Sequence, residues 1–266
     1  MKFATIKFEE PESGIGLITL NRPDRLNALS MEMLDDLYAL FDHLKGESRV
    51  RVLILTGEGR GFCSGADLVE GETVEDLPEY LLNAAHHLEG VQKKYSGIVL
   101  EMRRLTQPII AAVNGPAAGG GMSIALAADV ILAAPDATFT PSFINIGLAG
   151  SEMGSSYFLP RSVGSARAAE ILLTGRTVDA REAERIGMVC RVTGDEDLIG
   201  TAIDTARTML GKSRIGLMFT KEALTRNLET PSLEVAIELE NRGQSILCFT
   251  PEFAESVMEF SKRKKG

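Results

Sequence analysis

Two stretches of the chain set a cluster of small residues directly after an apolar run. LTGEGRGFCSGADL (55–68) leaves the run VRVLILTG, and GPAAGGGMSIALAADV (115–130) leaves PIIAAVNG. Small residues just past a buried strand are where α/β proteins commonly hold ligands. Glycine there lets a ligand approach backbone N–H groups closely. A helix opening at the third glycine, Gly121, would aim its free N–H groups and positive dipole end at that ligand. Three chemistries compete for such a site. A dinucleotide fingerprint needs G-x-G-x-x-G and an acidic residue further on, which 115–121 does not match, and a P-loop needs Gly-Lys-Ser/Thr, but no lysine follows. The third is a pair of backbone donors, one per loop, converging on a carbonyl oxygen; losing one such donor typically costs about 3 kcal/mol of barrier. Close helix–strand packing is the competing structural reading of the same glycines.

A nucleophile is also conceivable. GFCSG (61–65) matches the G-x-S-x-G elbow with Cys63 in place of serine. That fold places its histidine late in the chain, whereas His43, His86 and His87 are the only histidines. A thiolate without a nearby base is poorly activated, so Cys63 reads as a small apolar filler.

The elements that must position these loops follow from the pattern. IGLITL (15–20) reads as a strand stopped by Pro23. Ser30 is a helix N-cap, followed by Leu34, Leu37, Phe41 and Leu44 at helical spacing and by Gly46 as terminator. Strands are expected at 50–57, 109–115 and 129–135. Residues 71–95 are polar and weakly helical, the expected mobile insertion. Beyond about 195 the pattern is helical, over 195–210, 216–228, 232–247 and 251–263, with Pro251 in a first turn where its missing N–H does no harm. Alternating strands and helices predict an α/β body with mostly parallel strands and a helical C-terminal piece.

Composition narrows the function classes. At 266 residues the chain can bury a substantial core. A net charge of −9 argues against general nucleic-acid binding, and the absence of Trp with only four Tyr disfavours stacking platforms. The basic end SKRKKG reads as a solvated tail in preference to an anion contact. Cys63, Cys190 and Cys248 stand at unrelated spacings, so neither a disulfide framework nor a zinc ribbon is expected, and no metal site. No apolar run approaches the roughly 18 residues that span a membrane, and the first residues lack an apolar signal core. A reducing, cytoplasmic setting is expected.

Taken together, ITLNRPDRLNALS, VLILTGEGRGFCSGADL, PIIAAVNGPAAGGGMSIALAADVILAA and the long run from ATFTPSF to GMVCRV resemble the enoyl-CoA hydratase/isomerase (crotonase) superfamily, in that family's order and over nearly the whole chain. The resemblance implies a β-β-α spiral over 1–195 carrying an acyl-CoA site, and a helical oligomerisation region over 196–266 that supports a homotrimer or a hexamer built from two trimers. It implies an acyl-CoA thioester ligand and no cofactor beyond the coenzyme A of the substrate. By the same carry-over, the N–H groups of Ala66 and Gly120 form an oxyanion hole. Arg25 and Ala28 approach the CoA phosphates and adenine end, while Ser64, Asp67 and Leu68 line the adenine and pantetheine path. Pro116, Gly119, Ser123 and Phe143 would border the acyl pocket. Phe260 and Lys262 fall near where the family's last helix reaches the CoA of a neighbouring subunit.

The departures from the family pattern bear on the reaction. Hydratases of the family hold a water between two glutamates; the corresponding positions here are Ser123 and Phe143. A serine hydroxyl is a very weak base and a phenyl ring is none, so two-glutamate hydration is not expected. Glu152 in GLAGSEMGSS stands near where relatives that shift double bonds carry an acid, and it could shuttle a proton as a single acid/base, isomerase-like or as an atypical hydratase or lyase. A carboxylate placed to satisfy a helix N-terminus is the structural alternative. At Asp67 a structural hydrogen bond is expected over proton transfer; Ser142, Asn145 and Ser151 are polar pocket candidates without an assigned task. A catalytically reduced CoA-ester-binding or scaffold member is the alternative for the whole chain.

Overall fold

The structure, a computed structural model, describes residues 2–68, 84–194 and 197–263. Alternating apolar residues form β1 (Ile6–Glu12), paired antiparallel with β2 (Ile15–Leu20). The wholly buried β3 (Val52–Gly57) and β4 (Ile109–Val113) follow in parallel, as expected of strands covered on both faces. With β6 (Val130–Ala133) and β9 (Arg191–Val192) they complete a six-stranded sheet in the order β1-β2-β3-β4-β6-β9. The expected strands are thus present, each two or three residues shorter than its apolar run except β2, which matches it.

A second layer, not foreseen from the pattern, explains the glycine loops. β5 (Pro116–Ala118), β7 (Thr138–Thr140) and β8 (Val178–Asp179) form a three-stranded sheet. Two isolated bridges, Leu29 to Ala66 and Cys63 to Ala117, extend it. Each main-sheet strand from β2 to β6 is therefore followed by a short extended segment in this layer, and then by helix. That repetition is a β-β-α spiral. Its helices are α1 (Met31–Gly46), the helical stretch α2 (Ala84–His87), a π-helical turn (Leu88–Gln92) and α3 (Lys93–Arg104), and then α4 (Gly120–Ala127). Ser30 caps α1, its hydroxyl accepting from Met33 N–H at 3.2 Å, and Met33, Leu34, Leu37, Leu40, Phe41 and Leu44 are the face it buries. Of the expected insertion 71–95, residues 84–95 are helical throughout, and 71–83 lie outside the described residues.

After β7 come α5 (Ser155–Val163), α6 (Ser165–Thr174) and α7 (Ala180–Arg185). The helical C-terminal region comprises α8 (Leu198–Leu210), α9 (Arg214–Asn227), α10 (Leu233–Leu247) and α11 (Pro251–Arg263). α8 covers the far face of the main sheet, its Ala202 and Ala206 buried with Ile15, Val52, Ile54 and Ile110. α9 is tied down by a buried cation. Lys221, 5% exposed, donates to the carbonyls of Met102 (3.2 Å) and Gln107 (2.8 Å) and pairs with Asp129 at 2.9 Å, which also pairs with Arg103 at 2.8 Å. Burial pulls the Lys221 ammonium below the usual lysine range, and Asp129 opposes that pull. α10, by contrast, buries none of its residues, and every described side chain of α11 is exposed.

Candidate active site

The two glycine loops lie zipped together. Cys63 N–H donates to the Pro116 carbonyl at 3.1 Å, and Ala118 N–H donates to the Cys63 carbonyl at 2.9 Å. Backbone meets backbone here, and the glycines are what permit it. A Cβ on Gly121 would stand 2.1 Å from the Cys63 carbonyl oxygen. Gly119, at φ +51°, occupies the left-handed region that side chains disfavour. Helix α4 opens at Gly120, one residue before the expected start, with Gly119 as its N-cap.

This geometry sets the directions of two N–H groups. In the first loop Leu29 N–H donates to the Gly65 carbonyl (2.8 Å) and Asp67 N–H donates to the Leu29 carbonyl (3.0 Å), so the Ala66 N–H between them points away from that pairing. Gly120 is the first helical residue, whose N–H has no acceptor within the helix. Among the described residues neither N–H has an acceptor. The loops touch at this point: Gly120 N lies 3.1 Å from where a Gly65 Cβ would be.

Glu152 reaches the same neighbourhood through its main chain. The Ser123 hydroxyl, on α4 and fully buried, donates to the Glu152 carbonyl at 2.9 Å. Glu152 N–H donates to the Ser155 hydroxyl (3.1 Å), and Ser155 N–H returns to the Glu152 carbonyl (3.0 Å). The Glu152 carboxylate accepts through Oε1 from the Gln92 amide. Met153, next in the chain, sits at φ +49°, and its Sδ is 3.0 Å from where a Gly120 Cβ would be. Behind Met153 an apolar cavity of about 320 Å³ is lined by Val99, Leu100, Met153, Tyr157, Phe158 and Leu228, among others.

The remaining candidates differ in burial and in partners. The Phe143 ring packs on Gly119, 3.3 Å from where its Cβ would be, and is buried. Pro116 is exposed, and its carbonyl holds the loop pairing. Ser64 donates to the Arg25 carbonyl at 3.3 Å, Ala28 is buried beneath, and Arg25 and Leu68 are exposed. The Asp67 carboxylate faces Arg22 at 2.8 Å, with only 3% of its side chain exposed. Asn145 donates to the Gly175 carbonyl, Ser142 to the Thr140 carbonyl, and Ser151 is exposed. Phe260 is exposed on α11, and the side chain of Lys262 lies outside the described ones. Burial pushes the Cys63 thiol up to about 12, so it stays protonated at neutral pH, as a filler should. Among the described residues no group of His, Cys, Asp or Glu could hold a metal ion, and no helix is long and apolar enough to cross a membrane.

Sequence reasoning missed Arg22, Asn27 and Gln92. Asn27, fully buried, accepts from Arg22 N–H (2.9 Å) and donates to the carbonyls of Glu58 (3.0 Å) and Gly61 (2.8 Å), stapling the loop after β2 to the loop after β3. Its place in NRPDRLN, after a turn proline, was the available signal. Gln92 carried none, being one amide in a polar stretch.

Residues 10–266 match the enoyl-CoA hydratase/isomerase family. The chain is 44% identical, over 94% of its length and 87% of the relative's, to a Mycobacterium tuberculosis protein named as a probable enoyl-CoA hydratase. It is 34% identical to the 1,2-epoxyphenylacetyl-CoA isomerase of Escherichia coli, over 95% of this chain and 94% of the other. Among solved structures it resembles a probable enoyl-CoA hydratase/isomerase from Mycobacterium abscessus (TM-score 0.88, 37% identity, 98% and 96% coverage). It also resembles a monofunctional enoyl-CoA isomerase from M. smegmatis (TM-score 0.74, 42% identity, 88% and 98% coverage).

Proposed function

The chain belongs to the enoyl-CoA hydratase/isomerase family and is an enzyme of that family, and from that premise we propose that it moves a proton on an acyl-CoA thioester with Glu152 as its single acid/base. The observation that supports the reading is that two N–H groups without an acceptor among the described residues, Ala66 and Gly120, stand on adjoining loops, and that Ser123 on α4 bonds the Glu152 carbonyl. On a 3-enoyl thioester, the Glu152 carboxylate takes a proton from Cα. The electron pair moves onto the thioester carbonyl oxygen, where the two N–H groups hold it, and a dienolate results. The same carboxylic acid then returns the proton to Cγ, leaving the 2-enoyl thioester. Proton transfer of this kind contributes about 10²–10⁴-fold.

The 1,2-epoxyphenylacetyl-CoA isomerase and the monofunctional enoyl-CoA isomerase lend support, since their names are those of isomerases. The cavity behind Met153 offers an apolar acyl chain room. Exposed Arg25, with Ala28, Ser64, Asp67 and Leu68 nearby, would meet the CoA portion, and Phe260 and Lys262 that of a neighbouring subunit. No cofactor beyond substrate coenzyme A is required. The exposed apolar side chains of α10 and α11, including Leu233, Val235 and Phe253, support assembly as a homotrimer or hexamer. A cytoplasmic setting accords with the free thiols of Cys63, Cys190 and Cys248.

The test is turnover of 3-hexenoyl-CoA, with α-proton exchange of hexanoyl-CoA in D₂O as a readout that needs no product. Glu152→Gln is expected to slow both by about 10²–10⁴-fold at unchanged affinity for the ester. Unchanged rates remove Glu152 from the mechanism. A second reading, a CoA-ester-binding scaffold without catalysis, is favoured by Ser123 and Phe143 standing where a hydratase needs carboxylates. Binding of hexanoyl-CoA, with no exchange and no turnover in a mass-spectrometric screen of enoyl- and hydroxyacyl-CoA esters, would establish it.

A further inference from the structure

Every polar handle on Glu152 but one is occupied. Its N–H donates to the Ser155 hydroxyl, its carbonyl accepts from Ser123 Oγ and Ser155 N–H, and its Oε1 accepts from the Gln92 amide. Among the described residues Oε2 has no partner. The main chain immediately beyond is in an unusual conformation, with Met153 at φ +49° and Gly154 at φ +85°. A non-glycine residue in that region carries strain that its surroundings must hold.

Two of the handles come from elements that no acid/base needs for its own sake. Gln92 closes the π-helical turn ahead of α3, an irregularity frequent at functional sites. Ser123 is the only hydroxyl in α4, a helix otherwise made of Gly, Ala, Ile, Leu and Met and buried on all sides. It is also bonded in the direction that matters. Within α4 it lies 3.4 Å from the Gly119 carbonyl, a weaker bond than the 2.9 Å one it makes to Glu152. One short helix therefore presents the Gly120 N–H at its start and grips Glu152 one turn later.

We propose that Gln92 and Ser123 are positioning residues for Glu152, the Gln92 amide orienting the carboxylate through Oε1 and the Ser123 hydroxyl fixing the main chain, so that Oε2 is the oxygen that moves the proton. This rests on the reading of Glu152 as the acid/base. Ser123 then has a task different from the carboxylate of two-acid relatives: it holds Glu152 in register with the Gly120 donor on its own helix.

The experiment measures hexanoyl-CoA α-proton exchange in D₂O for the wild-type enzyme, Gln92→Met, Ser123→Ala, Ser123→Thr, Glu152→Gln and the double variant Gln92→Met/Glu152→Gln, with thermal melting on each. Gln92→Met and Ser123→Ala are expected to lower kcat for exchange about tenfold with KM within twofold and a native-like melt. Ser123→Thr, which keeps a hydroxyl, restores most of the rate. The double variant exchanges no more slowly than Glu152→Gln alone, because positioning has no value once the carboxylate is gone. Loss of rate in Glu152→Gln with undiminished kcat in both Gln92→Met and Ser123→Ala overturns this inference alone. An additive loss in the double variant also overturns it for Gln92. Full exchange by Glu152→Gln, or none by the wild type, overturns the proposed function and this inference with it.

Discussion

Helices α4 and α11 both carry large apolar side chains, and the chain treats them in opposite ways. α4, GGMSIALA, has no polar face and every residue is buried, the state required of a helix that is apolar all round. α11 carries Phe253, Val257 and Phe260 at spacings of four and three, on one side of the helix, and leaves them 45%, 46% and 61% exposed. α10 exposes Leu233 and Val235 in the same way. The contrast separates two kinds of apolar surface. That of α4 is satisfied by the loops and helices of its own chain, and its small residues serve the approach of backbone to backbone. That of α10 and α11 is left exposed among the described residues, which is why another copy is the partner proposed for it.

The largest effect is expected where body and C-terminal helices are locked together. Asp129→Ala leaves the buried Lys221 ammonium and the partly buried Arg103 without their carboxylate, a loss of about 3–5 kcal/mol. Chemical denaturation would read it, and an unchanged midpoint would mean that α9 is not held through this pair. Gly121→Ala attacks α4 itself. Its methyl group would stand 2.1 Å from the Cys63 carbonyl oxygen, so backbone must move, at a cost near the upper end of overpacking, about 3 kcal/mol. A melting temperature within a degree of wild type would deny that the loops are zipped this tightly.

Substitution on the uncovered face should behave differently. Phe253→Glu/Val257→Glu is expected to shift the assembly toward monomer in light scattering. Each large side chain covered contributes about 1.5–3 kcal/mol, whereas an exposed site within the monomer contributes within about 0.5 kcal/mol. An unaltered mass would break the comparison. The smallest signal comes from the thiols: exposed Cys190 should react with a disulfide reagent at pH 8 while Cys63 waits for unfolding. Burial pushes the Cys63 thiol up to about 12 in the folded chain, against an ordinary value of 9.0. In that interval the native state holds a proton the unfolded chain has lost, so Cys63 makes stability fall as pH rises, by at most about 1.4 kcal/mol per pH unit.

Much of this was legible in the residues. Long buried strands such as β3 and β4, and α1 with its Ser30 cap, announce themselves because hydrophobic period and capping are local properties. The second layer did not, since β5, β7 and β8 are only two or three residues long and too short to show alternation. Gln92, sixty residues from its partner Glu152, and Arg22, forty-five from Asp67, had no local signal at all.

By itself the sequence determined the identity of the groups: two glycine-rich strand exits, Ser123 and Phe143 near the second of them, and a carboxylate at Glu152. Those are matters of composition and spacing along the chain. Only the tertiary structure decided their directions. A hydrogen bond depends on where a donor points over about 3 Å. That direction was set by the zipped loops, by the start of α4 at Gly120 and by the grip of Ser123 and Gln92 on Glu152, contacts between residues far apart in sequence.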